Sequence, residues 1–600
     1  MSFTFQDKVD NTRYLLGTVS GDESSHGGDS EGSFKEPDMR RLVPRSTIAA
    51  ALALISTLTL TQGVPARSLT DQVRELLRVR IEQAGVPPQI TVGEDCIHAS
   101  VMLPHFYEQR AYRPAWIGDR GPLPQAETLI RAIGEAGREG LRPNDYHLAC
   151  VDAVLREVRE NQRRKNPFNP RRLVDIDLIL TDAFLLYGSH LLAGRINPET
   201  IDAEWHANRR EKNLAEVLET ALRANRIEES LENLLPSHSG YFTLRRALSS
   251  YRAEAGRGGW PRVSPGPVLR IGMCEERVAA LRARLIASGD LRERSYPDED
   301  LFDDALDEAV RAFQKRHGLE VDGVVGPATL AALNTPAEER VRQIELNLER
   351  WRWLPQNLGD RYILVNIAHF ELDLIANGQP VMTMRVVVGK PYRRTPVFSD
   401  RVSYLVLSPY WHVPPSIALQ DMLSLVRKDP EYLNRMNLKV FRGWGAETQE
   451  IDPESIDWTT VSAENFPYRL RQDPGPTNAL GPVKFMFPNK FNVYLHGTPA
   501  RELFLKAARG FSSGCIRLEN PIELAEYLLR DDPKWTREVI LATIDKGVEE
   551  TVRLLNPIPV HLLYWTAWVD EGGSVHFWDD IYGRDELLDR AFREKPPSPW

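Results

Sequence analysis

Cysteine is scarce: four in 600 residues, Cys96, Cys150, Cys274 and Cys515, with no CxxC pair. That excludes a disulfide-built scaffold and leaves no spacing for a structural zinc site. A single bridge between Cys96 and Cys150 stays open. An excess of positive charge is also missing. The formal charge is −9, so no basic groove is expected and nucleic acid is excluded as a partner. No uninterrupted apolar run reaches the roughly 20 residues that a membrane-spanning helix needs. The run Ile48–Leu60 stops at 13 residues, and the stretch 175–192 is broken by Asp175, Asp177 and Asp182.

What is present is an ordinary globular balance, 42% hydrophobic and 26% charged, on a chain long enough for several domains. Residues 1–38 are polar and rich in Gly, Ser and Asp, an upstream segment that is non-native or disordered. Met39-Arg-Arg-Leu-Val-Pro-Arg45 then precedes the apolar run, and Gly63-Val-Pro-Ala66 ends it in small residues. A basic start, a short apolar core and a small-residue exit describe a secretory signal peptide over 39–66, starting at Met39. Left uncleaved, the same segment would anchor the chain to a membrane. Either way the bulk of the chain lies outside the cytoplasm.

The organisation that follows is multi-domain α+β. Residues 69–260 read as a helical scaffold domain, with 175–192 as its buried core helix. A Gly/Pro-rich stretch, 255–267, marks a boundary. From 268 to 335 comes a small three-helix domain. Val278, Leu281 and Leu285 share one face, Leu306, Val310 and Phe313 another, and Asp322-Gly323 and Gly326-Pro327 make turns. The phrase Val310 to Thr329 (VRAFQKRHGLEVDGVVGPAT) resembles the peptidoglycan-binding domain of wall hydrolases and transpeptidases. Residues 336–590 are mainly β, with Asn377-Gly378 as a hairpin turn. A helical lid insertion occupies about 415–475.

The chemistry concentrates near the end of the β-rich part. Tyr494-Leu-His-Gly-Thr498 ends a strand, and Phe511-Ser-Ser-Gly-Cys-Ile-Arg-Leu518 places Cys515 nineteen residues after His496. A cysteine attacks as thiolate, and a neighbouring histidine promotes that state. Gly514 permits a sharp turn, and backbone N–H groups around Ser513, Gly514 and Cys515 could hold an oxyanion.

HGT followed by SSGCIRL resembles the signature of the YkuD-type L,D-transpeptidase catalytic domain. The common form carries histidine where this chain has Ser513, a departure similar to the large multi-domain periplasmic branch. Four further phrases agree: Leu348–Leu354, Ser408–Ser416, Gly481–Phe485 and Tyr564–Ala567. The resemblance covers nearly all of 97–590. It implies Cys515 as nucleophile, His496 as general base and the Gly497 carbonyl as the group orienting it. It implies Gly514 N–H as an oxyanion donor, and Arg517, Ser513, Tyr494 and Trp411 around the substrate. The implied reaction is acyl transfer between tetrapeptide donor and acceptor stems of peptidoglycan in the periplasm, giving 3→3 cross-links without metal or organic cofactor. An L,D-carboxypeptidase would use the same residues with water as acceptor. A non-catalytic wall-binding protein is the reading outside enzymes.

Overall fold

The computed structural model describes residues 67–599 apart from 86, 94, 165, 207–208, 430 and 444. The expected upstream segment and signal peptide lie outside the described residues, as does the side chain of Cys96 on which a bridge to Cys150 turns.

The N-terminal region is built around one helix, Pro170–Ala193, buried from Leu173 onward almost without interruption. Among the described residues it is the one helix long and apolar enough to cross a membrane, yet its whole apolar window is covered by protein. Its acidic residues explain why. Asp177 accepts from the backbone N–H groups of Ala115 and Trp116 at 2.7–3.1 Å and from the Tyr107 hydroxyl at 2.7 Å. Asp182 accepts from the backbone of His98 and Ala99 and from His147 Nε2. Each carboxylate therefore satisfies loop donors that would otherwise be buried unpaired. Burial raises the Asp177 pKa to about 6.

The small domain has helices at Glu276–Ala287, Asp304–Arg316 and Pro327–Leu333. The two apolar faces read from the sequence meet in its core, with Val278, Leu281, Leu285, Leu306 and Phe313 fully buried. Asp303 caps the second helix by accepting from Leu306 N–H at 2.9 Å. Helix Ala337–Arg352 then leads into the β domain. Within it Glu349 and Arg352 form a fully buried ion pair, and Glu349 also accepts from Ile196 N–H at 2.7 Å. The Leu348–Leu354 phrase is thus a joint between the helical region and the β domain.

The β domain starts with β1 (Arg361–Asn366), β2 (Glu371–Ala376), β3 (Gln379–Gly389) and β4 (Phe398–Leu407). The turn between β2 and β3 puts Asn377 and Gly378 at φ +52° and +76°, as an Asn-Gly hairpin requires. The lid follows, with β5 (Trp411–His412), β6 (Leu438–Arg442), β7 (Gln449–Ile451) and β8 (Tyr468–Gln472). Then come β9 (Val483–Met486), β10 (Leu495–His496), β11 (Gly510–Ser512), β12 (Ile516–Leu518) and β13 (Glu550–Leu563). The main sheet runs β11-β3-β12-β10-β9-β4-β13-β1-β2, and β2 also pairs with β3. That second pairing closes the sheet on itself and leaves few exposed edges.

The insertion carries the expected helices, at 415–428 and 432–435, and adds a four-stranded sheet of order β7-β6-β8-β5. The strands escaped the sequence reading because each is short and, apart from β6 and β7, the partners lie 25 residues or more apart along the chain. The lid has its own small core of Val413, Met422, Val426, Leu433, Val440 and Leu470. Its two ends are tied by Asn478, whose Nδ2 donates to Pro409 O at the entrance and Asp473 O at the exit, both at 3.0 Å.

Candidate active site

Three adjacent strands build the site. β9 is antiparallel to β10, with Lys484 opposite His496, and β10 is parallel to β12, with His496 opposite Arg517. Side chains alternate along a strand. Val483, Phe485, Leu495, Ile516 and Leu518 therefore fall on one face, fully buried. Lys484, Tyr494, His496, Cys515 and Arg517 fall on the other. The hydrophobic half of each strand thus aims the polar half.

Gly514 sits at φ +114°. A Cβ there would lie 3.5 Å from Arg394 O, so space exists and the backbone angle is what demands glycine. The turn is held from several sides. Ser512 Oγ donates to Cys515 O, Thr395 Oγ1 donates to Gly514 O at 2.8 Å, and Lys390 N–H donates to Ser512 O at 3.0 Å. Gly514 N–H donates to Ser512 Oγ at 3.1 Å. That donor, expected to face an oxyanion, is engaged within the loop. The Cys515 amide has no acceptor among the described hydrogen bonds.

His496 is buried, and its Nδ1 donates to Gly497 O at 2.6 Å. Gly497 can sit there because Gly481 packs against it: a Cβ on Gly481 would lie 2.6 Å from the Gly497 carbonyl carbon. Burial, then the charges of Arg517 and Lys484, lower the His496 pKa to about 3, so the ring is neutral at physiological pH. Cys515 is half-buried, and the hydrogen bond of its Sγ goes to Asn492 O at 3.9 Å, not to His496. Burial pushes its thiol pKa up. Tyr494 N–H, the Lys484 charge, the Tyr494 hydroxyl and the Arg517 charge pull the other way.

The structure thus brings Cys515, His496, Gly497, Gly514, Arg517 and Tyr494 together. The Tyr494 ring lies 5.6 Å from the His496 ring. Ser513 is exposed on the cysteine loop, where its hydroxyl accepts from Arg393 Nη1 at 2.9 Å. Trp411 does not join this face. It packs against the lid core, and strand alternation leaves its neighbour His412 among the charges of Arg471, Glu549 and Lys484. Sequence reasoning passed over Lys484, His412 and Arg393. Lys484 was readable, since it lies within the Gly481–Phe485 phrase and alternates with two core residues. Arg393 lies in a loop, where no periodicity marks it. Among the described residues no cluster of His, Cys, Asp and Glu could hold a metal ion. A cavity of about 550 Å³ lies elsewhere, between the small domain and the segment 577–589, and takes in none of these residues.

Comparison with known proteins assigns the regions of the chain. Residues 360–540 match the family profile of the L,D-transpeptidase catalytic domain, 102–248 match a scaffold domain, and 274–333 match a "putative peptidoglycan binding domain". A "putative L,D-transpeptidase" from Haemophilus influenzae is 36% identical over 261 residues, 43% of this chain and 51% of that protein. The chain thus spans about half the length of that relative. The N-acetylmuramoyl-L-alanine amidase CwlM of Mycobacterium tuberculosis is 45% identical over 83 residues, 12% of this chain and 20% of that protein. A solved L,D-transpeptidase from Xylanimonas cellulosilytica is 17% identical with a TM-score of 0.16, covering 50% of this chain and 99% of that one. A likeness of that size says nothing of function. The profile matches decide what each region is: residues 360–540 belong to the L,D-transpeptidase catalytic domain family, behind a scaffold domain at 102–248 and a domain of the "putative peptidoglycan binding" type at 274–333.

Proposed function

We propose that the protein is a peptidoglycan L,D-transpeptidase that forms 3→3 cross-links through a thioester on Cys515. The observation that carries the reading is the polar face of β9, β10 and β12, where Cys515 stands with Tyr494 and Arg517 beside a histidine fixed by the Gly497 carbonyl. Cys515 Sγ attacks the carbonyl carbon between the third residue of a tetrapeptide stem and its terminal D-Ala. The thiol proton passes to His496 and then to the departing D-Ala amine as the C–N bond breaks. The side-chain amine of a second stem attacks the thioester and gives its proton to His496, and the C–S bond breaks to release the sulfur, which recovers that proton. The Cys515 N–H, which has no acceptor of its own among the described hydrogen bonds, would receive the oxyanion, and Gly514 N–H would join it on giving up Ser512 Oγ. Arg517, whose planar fork suits carboxylates, orients the cysteine loop or a substrate carboxylate. Water in place of the amine would give an L,D-carboxypeptidase. The intact site stands against a purely wall-binding role.

The small domain would hold the enzyme on the sacculus, and the segment 39–66 would export it to the periplasm, where it serves wall biogenesis and cell shape. A carbapenem tests the nucleophile. Its strained carbonyl resembles the donor amide, so intact-protein mass spectrometry should find one adduct on the mature chain, mapped to the Cys515 peptide and lost in C515S. An adduct on Cys96, Cys150 or Cys274 instead would overturn the assignment.

A further inference from the structure

The thiolate at Cys515 needs a positive neighbour, and His496 is badly placed to be one. Its ring is buried, its Nδ1 is committed to Gly497 O, and no hydrogen bond joins it to Sγ. A protonated imidazole there would face Arg517 and Lys484 as like charges. The thiolate–imidazolium pair that a Cys–His site suggests is therefore costly in this fold.

Lys484 is better placed. It lies on the same sheet face, opposite His496 in register. Its ammonium sits 4.0 Å above the centroid of the Tyr494 ring, and the Tyr494 hydroxyl reaches Cys515. Among the described residues no carboxylate lies within ion-pair distance of it, nor of Arg517 across the same face, so the two cations share the thiol as their nearest acidic group, with Lys484 the stronger influence on it. Lysines are normally solvated or paired. One held half-buried over an aromatic ring beside a thiol has a cation–π partner and an unmet need for an anion. The groups facing it are Tyr494 just before β10 and His496 on it, Cys515 and Arg517 at β12, Glu549 before β13, and His412 from the lid.

We propose that Lys484 is the charge partner of Cys515, a positioning residue whose ammonium, set over Tyr494 on the shared face, stabilises the thiolate in place of an imidazolium. The proton leaving sulfur then need not stay on His496 as a permanent charge. The imidazole is neutral between steps: it takes the thiol proton as sulfur attacks and passes it to the D-Ala amine as the C–N bond breaks. The inference rests on Cys515 being the reactive thiol, which its test examines separately.

The test is the pH dependence of iodoacetamide alkylation on the full chain, followed on the Cys515 peptide by mass spectrometry. Iodoacetamide is neutral and small, so substrate binding does not enter. Wild type gives a reference midpoint. K484M should raise that midpoint by roughly one pH unit, as loss of a nearby cation does. K484R should restore it. E549Q, which removes an anion from the same surroundings, should lower it, and this arm holds even if K484M folds poorly. The proposal is overturned if K484M and E549Q both titrate as wild type, or if K484R behaves as K484M. An alkylatable Cys515 with an unmoved midpoint would leave the proposed function standing and remove Lys484 from it. A Cys515 peptide that never reacts, with Cys274 labelled normally, would defeat both.

Discussion

His496 shows how one side chain's surroundings set its use. Burial and the charges of Arg517 and Lys484 lower its pKa to about 3, so it stands ready as an acceptor and holds a proton only in passing. H496A should therefore lower the rate of Cys515 acylation by about 10²- to 10⁴-fold, the usual contribution of a positioned acid–base group. The chain should stay folded, because the ring's hydrogen bonds go to two backbone carbonyls, of Gly497 and Leu480, in segments already paired by the β9–β10 ladder. Stopped-flow acylation with matched circular dichroism would check this. A folded H496A protein acylating at the wild-type rate would take away the role. Most of these residues were visible in the sequence, since HGT and SSGCIRL name Cys515, His496 and Gly497 directly. The direction of the Gly514 N–H was not visible. It depends on the χ1 of Ser512, which motif spacing does not encode.

At the scale of elements, the lid is fastened to the catalytic loop by one guanidinium. Arg393, between β3 and β4, donates to Ser513 Oγ on the cysteine loop. It also donates to Gln420 Oε1 at 2.6 Å and pairs with Asp421 in the lid helix. Coupling through a shared residue is reciprocal. S513A should speed amide exchange in the lid helix, and D421N should speed exchange across the cysteine loop. R393A should do both. Hydrogen-exchange mass spectrometry reads all three. Changes confined to the mutated element would show that lid and loop move independently. The lid also marks where the sequence was least informative. Its helices were readable from apolar spacing over 417–426, but β5 and β8 are two and five residues long and their partners lie far off in the chain. A strand of that length has too few positions for alternation to show. The long catalytic strands behaved differently: β1, β2 and β3 were legible because six to eleven residues display the pattern and Asn377-Gly378 punctuates it.

Across the whole molecule, the C-terminal segment folds back on the core helix of the scaffold region. His190 Nε2–H donates to Ser598 O at 3.1 Å, the Tyr146 hydroxyl serves Nδ1 at 3.0 Å, and Arg195 donates to Lys595 O. This arrangement needs a neutral ring, and burial lowers the His190 pKa to about 3. In the unfolded chain the same ring titrates near 6.5. Its stabilising contribution is therefore complete above about pH 6.5 and is lost as pH falls toward 3. At pH 5 the loss approaches about 2 kcal/mol. H190Q should lower Tm at pH 7.5 and narrow the gap in Tm between pH 7.5 and pH 5. An unchanged gap would show that His190 is not part of the acid sensitivity. Removing 268–335 should weaken pull-down on purified sacculi while leaving acylation by a small β-lactam largely intact. Unchanged pull-down would make that domain a spacer.

The central claim is cross-linking through Cys515, and one measurement reaches it: mass spectrometry of the products when the full chain is incubated with tetrapeptide stems. The account predicts release of D-Ala together with dimers linked between third-position residues, and neither product with C515S. D-Ala release without dimers, across several acceptor stems, would contradict it and make the protein a carboxypeptidase.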